Sequence, residues 1–211
     1  MSVLLREHRD RRISSPTVNA RRSLRGLGLL GAALAVGTWA TSDRGNALDE
    51  EAFRTLNGRR GPGADAMFRG ITELGSIWAS VGGAAVLALA GRRRAAISGL
   101  GAAGLAWLAG QGLKKIFRRA RPYQSDPDGT RLLIGPPRAS SWPSSHPAVL
   151  LAFVTVAGRE VGAGAVGRAG LGALAVAVGA SRAYVGVHYP ADVVGGLLVG
   201  RACAAVLVGR R

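Results

Sequence analysis

The sequence predicts an all-α protein, an integral membrane helical bundle of about six transmembrane helices with short interfacial helices. Three observations predict it. Charge-free apolar runs recur along the chain, and several approach the length of about 17–25 residues that a bilayer crossing needs. The composition is 48% hydrophobic but only 5% aromatic, with 32 glycines among 211 residues, which suits close-packed membrane helices better than a soluble core. The runs are apolar all round rather than striped, so a water-soluble bundle has no polar face to expose.

Taken in order, the spans fall at residues 26–42, 74–91, 95–113 and 140–158. A fifth, at 169–181, is short unless it extends through Arg182 toward Val187. The sixth, at 190–209, is interrupted by Arg201, whose long side chain can snorkel to the nearer interface. No small-residue cleavage site follows the first run, so it reads as a retained span. Residues 1–25 then form a basic cytoplasmic tail lying against anionic headgroups, with His8 inert, and residues 26–211 form the membrane-embedded domain. The glycines at 99, 101, 104, 110 and 112 read as helix-packing positions, and Trp39, Trp78, Trp107 and Trp142 as interface anchors.

The Lys/Arg bias of the short loops sets the orientation. Arg6, Arg9, Arg11, Arg12, Arg21, Arg22 and Arg25, then Arg92–Arg94, then Arg159 and Arg168, then Arg210 and Arg211 all fall on one side of a six-span chain. That side is expected to be the cytoplasm, with both termini there. Lys114, Lys115, Arg118, Arg119 and Arg121 are basic and fall on the other side, against the rule.

Residues 43–73 are the longest connection between spans and are nearly charge-balanced. Leu48, Ala52 and Leu56 recur at helical spacing, with Gly58 as a stop. Asp65 is a candidate cap for a second segment carrying Met67, Phe68, Ile71 and Leu74 on one side. Two interfacial helices fit, either packing over the bundle or guiding a lipid.

The net charge of +16 calls for an anionic partner. Because the charges gather at the ends of apolar runs, membrane lipid and a phosphate-bearing substrate are expected, and nucleic acid is not. Cys203 is the only cysteine, which excludes an intramolecular disulfide and a Cys-based metal cluster.

Three polar blocks carry the chemistry. The first is Lys114, six residues, then Arg121-Pro122; the chain has 26 arginines, and its two lysines, Lys114 and Lys115, both stand here. The second is Pro143-Ser144-Ser145-His146. The third is Ser181-Arg182, five residues, His188, three residues, Asp192. All three fall on the extracytoplasmic side in the orientation above. Four residues apart, His188 and Asp192 can share a helix face, with Pro190 suited to the first helical position and Asp192 to the first turn. There the carboxylate can take the proton of one ring nitrogen and leave the other free. Arg182 can present a planar fork to phosphate oxygens. A helix starting near His146 offers free amides beside the Ser144 hydroxyl and the Ser145 amide, a ready anion cradle. Pro122 keeps Arg121 aimed. Lys115, Arg118 and Arg119 read as facing headgroups, or as holding a second phosphate of a diphosphate. Residues 123–142 read as a loop that can cover the site. Clustered carboxylates and closely spaced His or Cys sets are missing, so neither a metal nor another cofactor is expected.

In order and spacing these blocks resemble the type 2 phosphatidic acid phosphatase superfamily, which includes lipid phosphate phosphatases and vanadium haloperoxidases. The resemblance spans roughly residues 70–205 and points to a bacterial membrane-bound branch. It implies that His188 forms a transient phosphohistidine, that Asp192 orients it, and that His146 is the general acid and helps activate water. It further implies that Lys114, Arg121, Ser144, Ser145 and Arg182 hold the phosphate. The family usually carries glycine where this chain has Ser145. The expected activity is hydrolysis of a lipid phosphomonoester or diphosphate, with a polyprenyl diphosphate as first substrate. Phosphatidic acid, phosphatidylglycerol phosphate and a phosphorylated polyprenyl sugar are the alternatives. Transfer to another lipid shares the first step. Haloperoxidase relatives are typically larger and soluble, and a scaffold with dead motifs would not need this intact set. Oligomeric state leaves no mark in the sequence.

Overall fold

A computed structural model of the chain describes residues 16–208. His8, Arg6, Arg9, Arg11, Arg12, Arg210 and Arg211 lie outside the described residues. Among the described residues all regular structure is helical, in nine segments. These are α1 (Pro16–Ala40), α2 (Asp43–Leu56), α3 (Pro62–Glu73), α4 (Ile77–Leu89), α5 (Arg93–Phe117), α6 (Pro122–Ser125), α7 (Ser145–Glu160), α8 (Ala165–Tyr184) and α9 (Pro190–Leu207).

Six of these match the six expected spans: α1, α4, α5, α7, α8 and α9. By apolar length alone only residues 23–40 of α1 and Pro190–Leu207 qualify as crossings, with the α3–α4 pair, bent by 66°, as a third. The others fall short for identifiable reasons. In α5 the charge-free stretch is diluted by glycines, Ser98 and Gln111, α8 carries Arg168 and Arg182, and α7 is 16 residues long. Helix α1 begins at Pro16, ten residues before the expected span, so the end of the basic tail is helical.

Helix α7 is the central post. It packs against α5, α8 and α9, while α1 lies along α9 and α4 along α5. Ala102, Ala106, Ala148, Ala152, Val156, Val199 and Ala204 fill one seam of the core. The approach of α9 to α7 is close enough to exclude side chains. A β-carbon on Gly196 would stand 2.2 Å from the Ser144 carbonyl oxygen, and one on Gly200 would stand 2.3 Å from that of Ala148. These two glycines, one turn apart, hold the start of α7 against the start of α9. The glycines expected to pack on α5 do so only in part. Gly99 meets Phe153 and Ala157 and Gly110 meets Ser145, but Gly101, Gly104 and Gly112 face open space. Because Ala148 presents backbone there, Gly200→Ala is expected to force the helices apart and cost about 1–3 kcal/mol, read as a lowered unfolding temperature in detergent.

Helices α2 and α3 form the expected interfacial pair. Ser42 caps α2, whose buried residues are Gly45, Asp49 and Phe53, while Leu48 and Leu56 face outward. Helix α3 starts at Pro62 behind Gly61, so Asp65 sits in the first turn and is not the cap. Its carboxylate accepts from Arg131 at 2.8 Å and from the Tyr184 hydroxyl at 2.6 Å. Phe68 stacks on Tyr184, whereas Met67 and Leu74 are exposed. Asn57, just past α2, donates to the carbonyls of Arg131 and Tyr184 at 2.9 and 2.8 Å. The pair therefore ties the 126–142 loop and the turn after α8 into one end of the bundle.

Candidate active site

The three blocks converge at that end, around a cavity of about 320 Å³. Lys114, Arg121, Ser145, His146, Arg182 and His188 all line it. The last turn of α5 delivers Lys114, a residue 7% exposed, whose ammonium donates to the carbonyls of Ser140 (2.7 Å), Ser141 (3.1 Å) and Pro143 (2.8 Å). All three of its protons are engaged, so the lysine fastens residues 140–143 to α5. Arg121 donates through Nε to Ala139 at 2.7 Å and through one terminal nitrogen to the Val187 carbonyl at 2.7 Å. The same nitrogen lies 3.2 Å from His188 Nε2. Arg182, at the end of α8, donates to Thr72 Oγ1 at 2.8 Å, and its buried Nε has no partner.

Guanidinium nitrogens only donate, so Arg121 fixes the His188 tautomer. Nε2 accepts and carries no proton, and Nδ1–H points at Asp192 Oδ2, 3.3 Å away. Asp192 sits in the first turn of α9 behind Pro190, and its Oδ2 also accepts from the Tyr189 amide at 2.8 Å and from the Ser141 hydroxyl. The imidazole is therefore held from behind by Asp192, with its Nε2 lone pair on Arg121, and His188 and Arg121 both line the cavity.

His146 and Ser145 enter from the first turn of α7, as expected of a helix start. Ser145 Oγ is buried without a partner, an acceptor or donor left for a ligand. Among the described residues only Arg118 has a positive φ outside glycine, so the serine at the family's glycine position carries no backbone strain. Ser144 lies behind the cavity wall: its amide donates to the Asp192 carbonyl at 2.9 Å, and its hydroxyl is buried and unpartnered. The lining also includes the apolar Ile77, Trp78, Trp107 and Val149, and Trp78 is 78% exposed. Pro137, Arg138 and Ala139 close one side, which is the covering part of the 123–142 loop.

Residues 95–210 match the PAP2 superfamily. The chain belongs to that superfamily. It is a phosphatase, a hydrolase of phosphate esters, and a membrane protein. Among solved structures it is similar to a transmembrane PAP2-type phosphatidylglycerolphosphate phosphatase from Bacillus subtilis, with TM-score 0.77 and 23% identity over 88% of this chain and 94% of that one. It is also similar to LpxE of Aquifex aeolicus, with TM-score 0.67 and 29% identity over 75% of this chain and 93% of that one. No curated protein matches it in sequence.

Within this PAP2 chain, burial, reinforced by the Arg121 charge, holds the His188 imidazole well below the ordinary histidine pKa of about 6.5. The unfolded chain then binds a proton at pH 5–6 that the folded chain does not. This contribution is complete above about pH 6.5 and is lost as pH falls below it. The unfolding temperature is accordingly expected to drop between pH 7.5 and 5.5, and to drop less in His188→Asn. Equal slopes in both proteins would remove His188 from that account.

Two sequence expectations are corrected at the site. Arg119 does not face headgroups. It is 7% exposed, and one terminal nitrogen lies 2.8 Å from both Asp192 Oδ1 and Asp49 Oδ2. The other donates to Asn46 at 3.0 Å, and the guanidinium lies 4.2 Å from the centre of the Tyr189 ring. Trp142 does not anchor an interface. It is fully buried, packed on Phe117 and on the backbone at Gly37 and Gly195.

Asp49 was not singled out from the sequence, and it completes the support. Its Oδ1 accepts from the Ala191 amide at 2.9 Å, so a carboxylate of α2 caps the start of α9. Gly45, Asp49 and Phe53 at four-residue spacing were the available signal, an acid within a row of small and aromatic residues on one face. Thr72 on Arg182 and Ser141 on Asp192 left no sequence signal of comparable strength.

Proposed function

We propose that the chain is an integral-membrane lipid phosphate phosphatase that works through a phosphohistidine at His188. One observation carries the reading. His188 Nε2 is unprotonated, accepts from Arg121 at 3.2 Å and belongs to the lining of a cavity that combines Lys114, Arg121 and Arg182 with the apolar Ile77, Trp78, Trp107 and Val149. A phosphate between Lys114, Arg121 and Arg182 meets three positive charges that stabilise the oxygens as charge shifts onto them. The lipid body would leave past Trp78 and Trp107.

In the first step Nε2 attacks phosphorus, the P–N bond forms, and the bond to the lipid oxygen breaks as His146 gives that oxygen a proton. In the second, His146 takes a proton from water, which attacks phosphorus and breaks the P–N bond. Phosphate leaves, and His188 keeps its Nδ1 proton on Asp192 throughout. Ser145 binds a phosphate oxygen, and Ser144 stiffens the turn behind it. The cationic wall repels a divalent metal, which supports a metal-free route. The Lys/Arg bias of the loops at the other end supports a site on the extracytoplasmic face.

A polyprenyl diphosphate is the first substrate we assign. Arg138 stands exposed beside the cavity, a fourth cation in position for a second phosphate. The test is phosphate release by purified protein in detergent with EDTA, offering a polyprenyl diphosphate, phosphatidic acid and phosphatidylglycerol phosphate in parallel. Release is expected to persist in EDTA and to be fastest on the diphosphate. Loss of activity in EDTA, restored by a divalent ion, would contradict the metal-free route. Preference for either monoester would replace the substrate but not the mechanism, and transfer to an added lipid acceptor in place of phosphate release would replace hydrolysis.

A further inference from the structure

The other end of the bundle holds a second cavity, of about 250 Å³, between α7, α8 and α9. Three arginines line it, Arg159 near the end of α7, Arg168 near the start of α8 and Arg201 within α9. At a rise of about 1.5 Å per residue, Arg159 lies roughly 20 Å along α7 from the Ser145 end, and Arg168 lies as far along α8 from Arg182. The cavity is therefore separate from the one around His188.

Its charge is unbalanced. The charges acting on half-buried Arg201 are those of Arg25 and Arg159, both of its own sign. Glu160, the adjacent carboxylate on α7, pairs with Arg94 at 3.7 Å. Among the described residues no carboxylate lies within ion-pair distance of Arg159, Arg168 or Arg201. Arg168 spends one donor on the Ala163 carbonyl, which turns its guanidinium back over the start of α8. Arg201 also stands six residues before the end of α9, deeper than a snorkelling arginine needs to be. Three like charges around one cavity in a membrane protein repel each other unless an anion joins them. The remaining wall has the Thr155 hydroxyl beside the apolar side chains of Leu151 and Leu171.

We propose that this cavity is a second anion site that binds a phosphate group. The apolar wall beside the arginines matches the headgroup and upper acyl chains of an acidic phospholipid; free phosphate offers the same charge without the chains. Either ligand would bridge the far ends of the three helices whose near ends carry His146, Arg182 and His188.

The test is native mass spectrometry of the full chain released from detergent, titrated with phosphatidylglycerol, phosphatidylcholine or inorganic phosphate. It compares wild type with Arg201→Gln and with Arg168→Gln, the latter at an exposed position and so harmless to folding. Retention of phosphatidylglycerol over phosphatidylcholine is expected, falling about fivefold with each arginine lost. Phosphate binding that falls equally in both variants, with no preference between the lipids, would keep the site and assign it to the free ion. A wild-type protein that prefers neither lipid and binds no phosphate sensitive to these substitutions would overturn the proposal, as would a lipid preference unchanged in both variants.

Discussion

Replacing His188 with alanine is expected to lower kcat by about 10⁴-fold or more while leaving substrate binding within a few-fold of wild type. The size follows from the step that is lost. Without Nε2 there is no nucleophile in the cavity, and Lys114, Arg121 and Arg182 can only bind the phosphate and stabilise slow attack by water. Those cations are held by the carbonyls of residues 139–143 and 187 and by Thr72, so the imidazole does not support them. Loss of His146 should cost less, about 10²–10⁴-fold, because a leaving group can still depart without its proton donor. The ratio of kcat to KM effects across these variants, on the best lipid substrate, checks the division of labour. A His188→Ala protein with near-normal kcat would remove the nucleophile from the account.

The second large effect is at Arg119. Replacing it with methionine leaves Asp49 and Asp192 buried against each other without a counter-charge. Breaking a buried pair in this way costs about 3–5 kcal/mol, more than the pair itself contributes. Burial already lifts the Asp49 carboxyl above the ordinary carboxylate range, against the Ala191 amide and Arg119. Without the arginine its pKa is expected to rise further, because the Arg119 charge now opposes the effect of burial. Three results are expected together: a lowered unfolding temperature, a fall in kcat exceeding any rise in KM, and partial recovery of stability in the Arg119→Met/Asp49→Asn double variant. A positioning role predicts the kcat fall because Asp192 loses the contact that aims it at His188 Nδ1. Arg119→Lys should restore stability better than rate, since a single ammonium cannot reach Asp49, Asp192 and Asn46 in the same geometry. A protein stable and fully active without Arg119 would show that Asp192 needs no support from α2.

The three blocks of the candidate site were legible because charged and titratable groups are rare inside membrane helices. Lys114, His146, Arg182, His188 and Asp192 stand out against Gly/Ala-rich surroundings, and the structure gathers them at one end. Arg119 was not legible. Between Lys114 and Arg121 it reads as one more basic residue at a span end, and its two partners lie at Asp49 and Asp192, far off in the chain.

The face that α2 turns inward was not legible for a related reason. In a soluble helix the apolar stripe faces inward. At a membrane surface the outside is apolar too, so Leu48 and Leu56 can point out while Asp49 points in. Glycine counts failed in the same way. Gly101, Gly104 and Gly112 form a pattern as convincing as Gly195, Gly196 and Gly200, but only the second set meets packed neighbours, Trp142, Ser144 and Ala148. Trp142 is buried because Gly37 and Gly195 leave room for its ring, and neither glycine is near it in sequence.

The most direct test of the central claim is to trap the intermediate. The protein would be mixed with a lipid substrate carrying labelled terminal phosphate, quenched in base within a turnover, and the labelled peptide identified by mass spectrometry. The account predicts an alkali-stable, acid-labile label on His188, absent in His188→Ala. Label on any other residue, or steady turnover with no labelled protein at any time point, would contradict it.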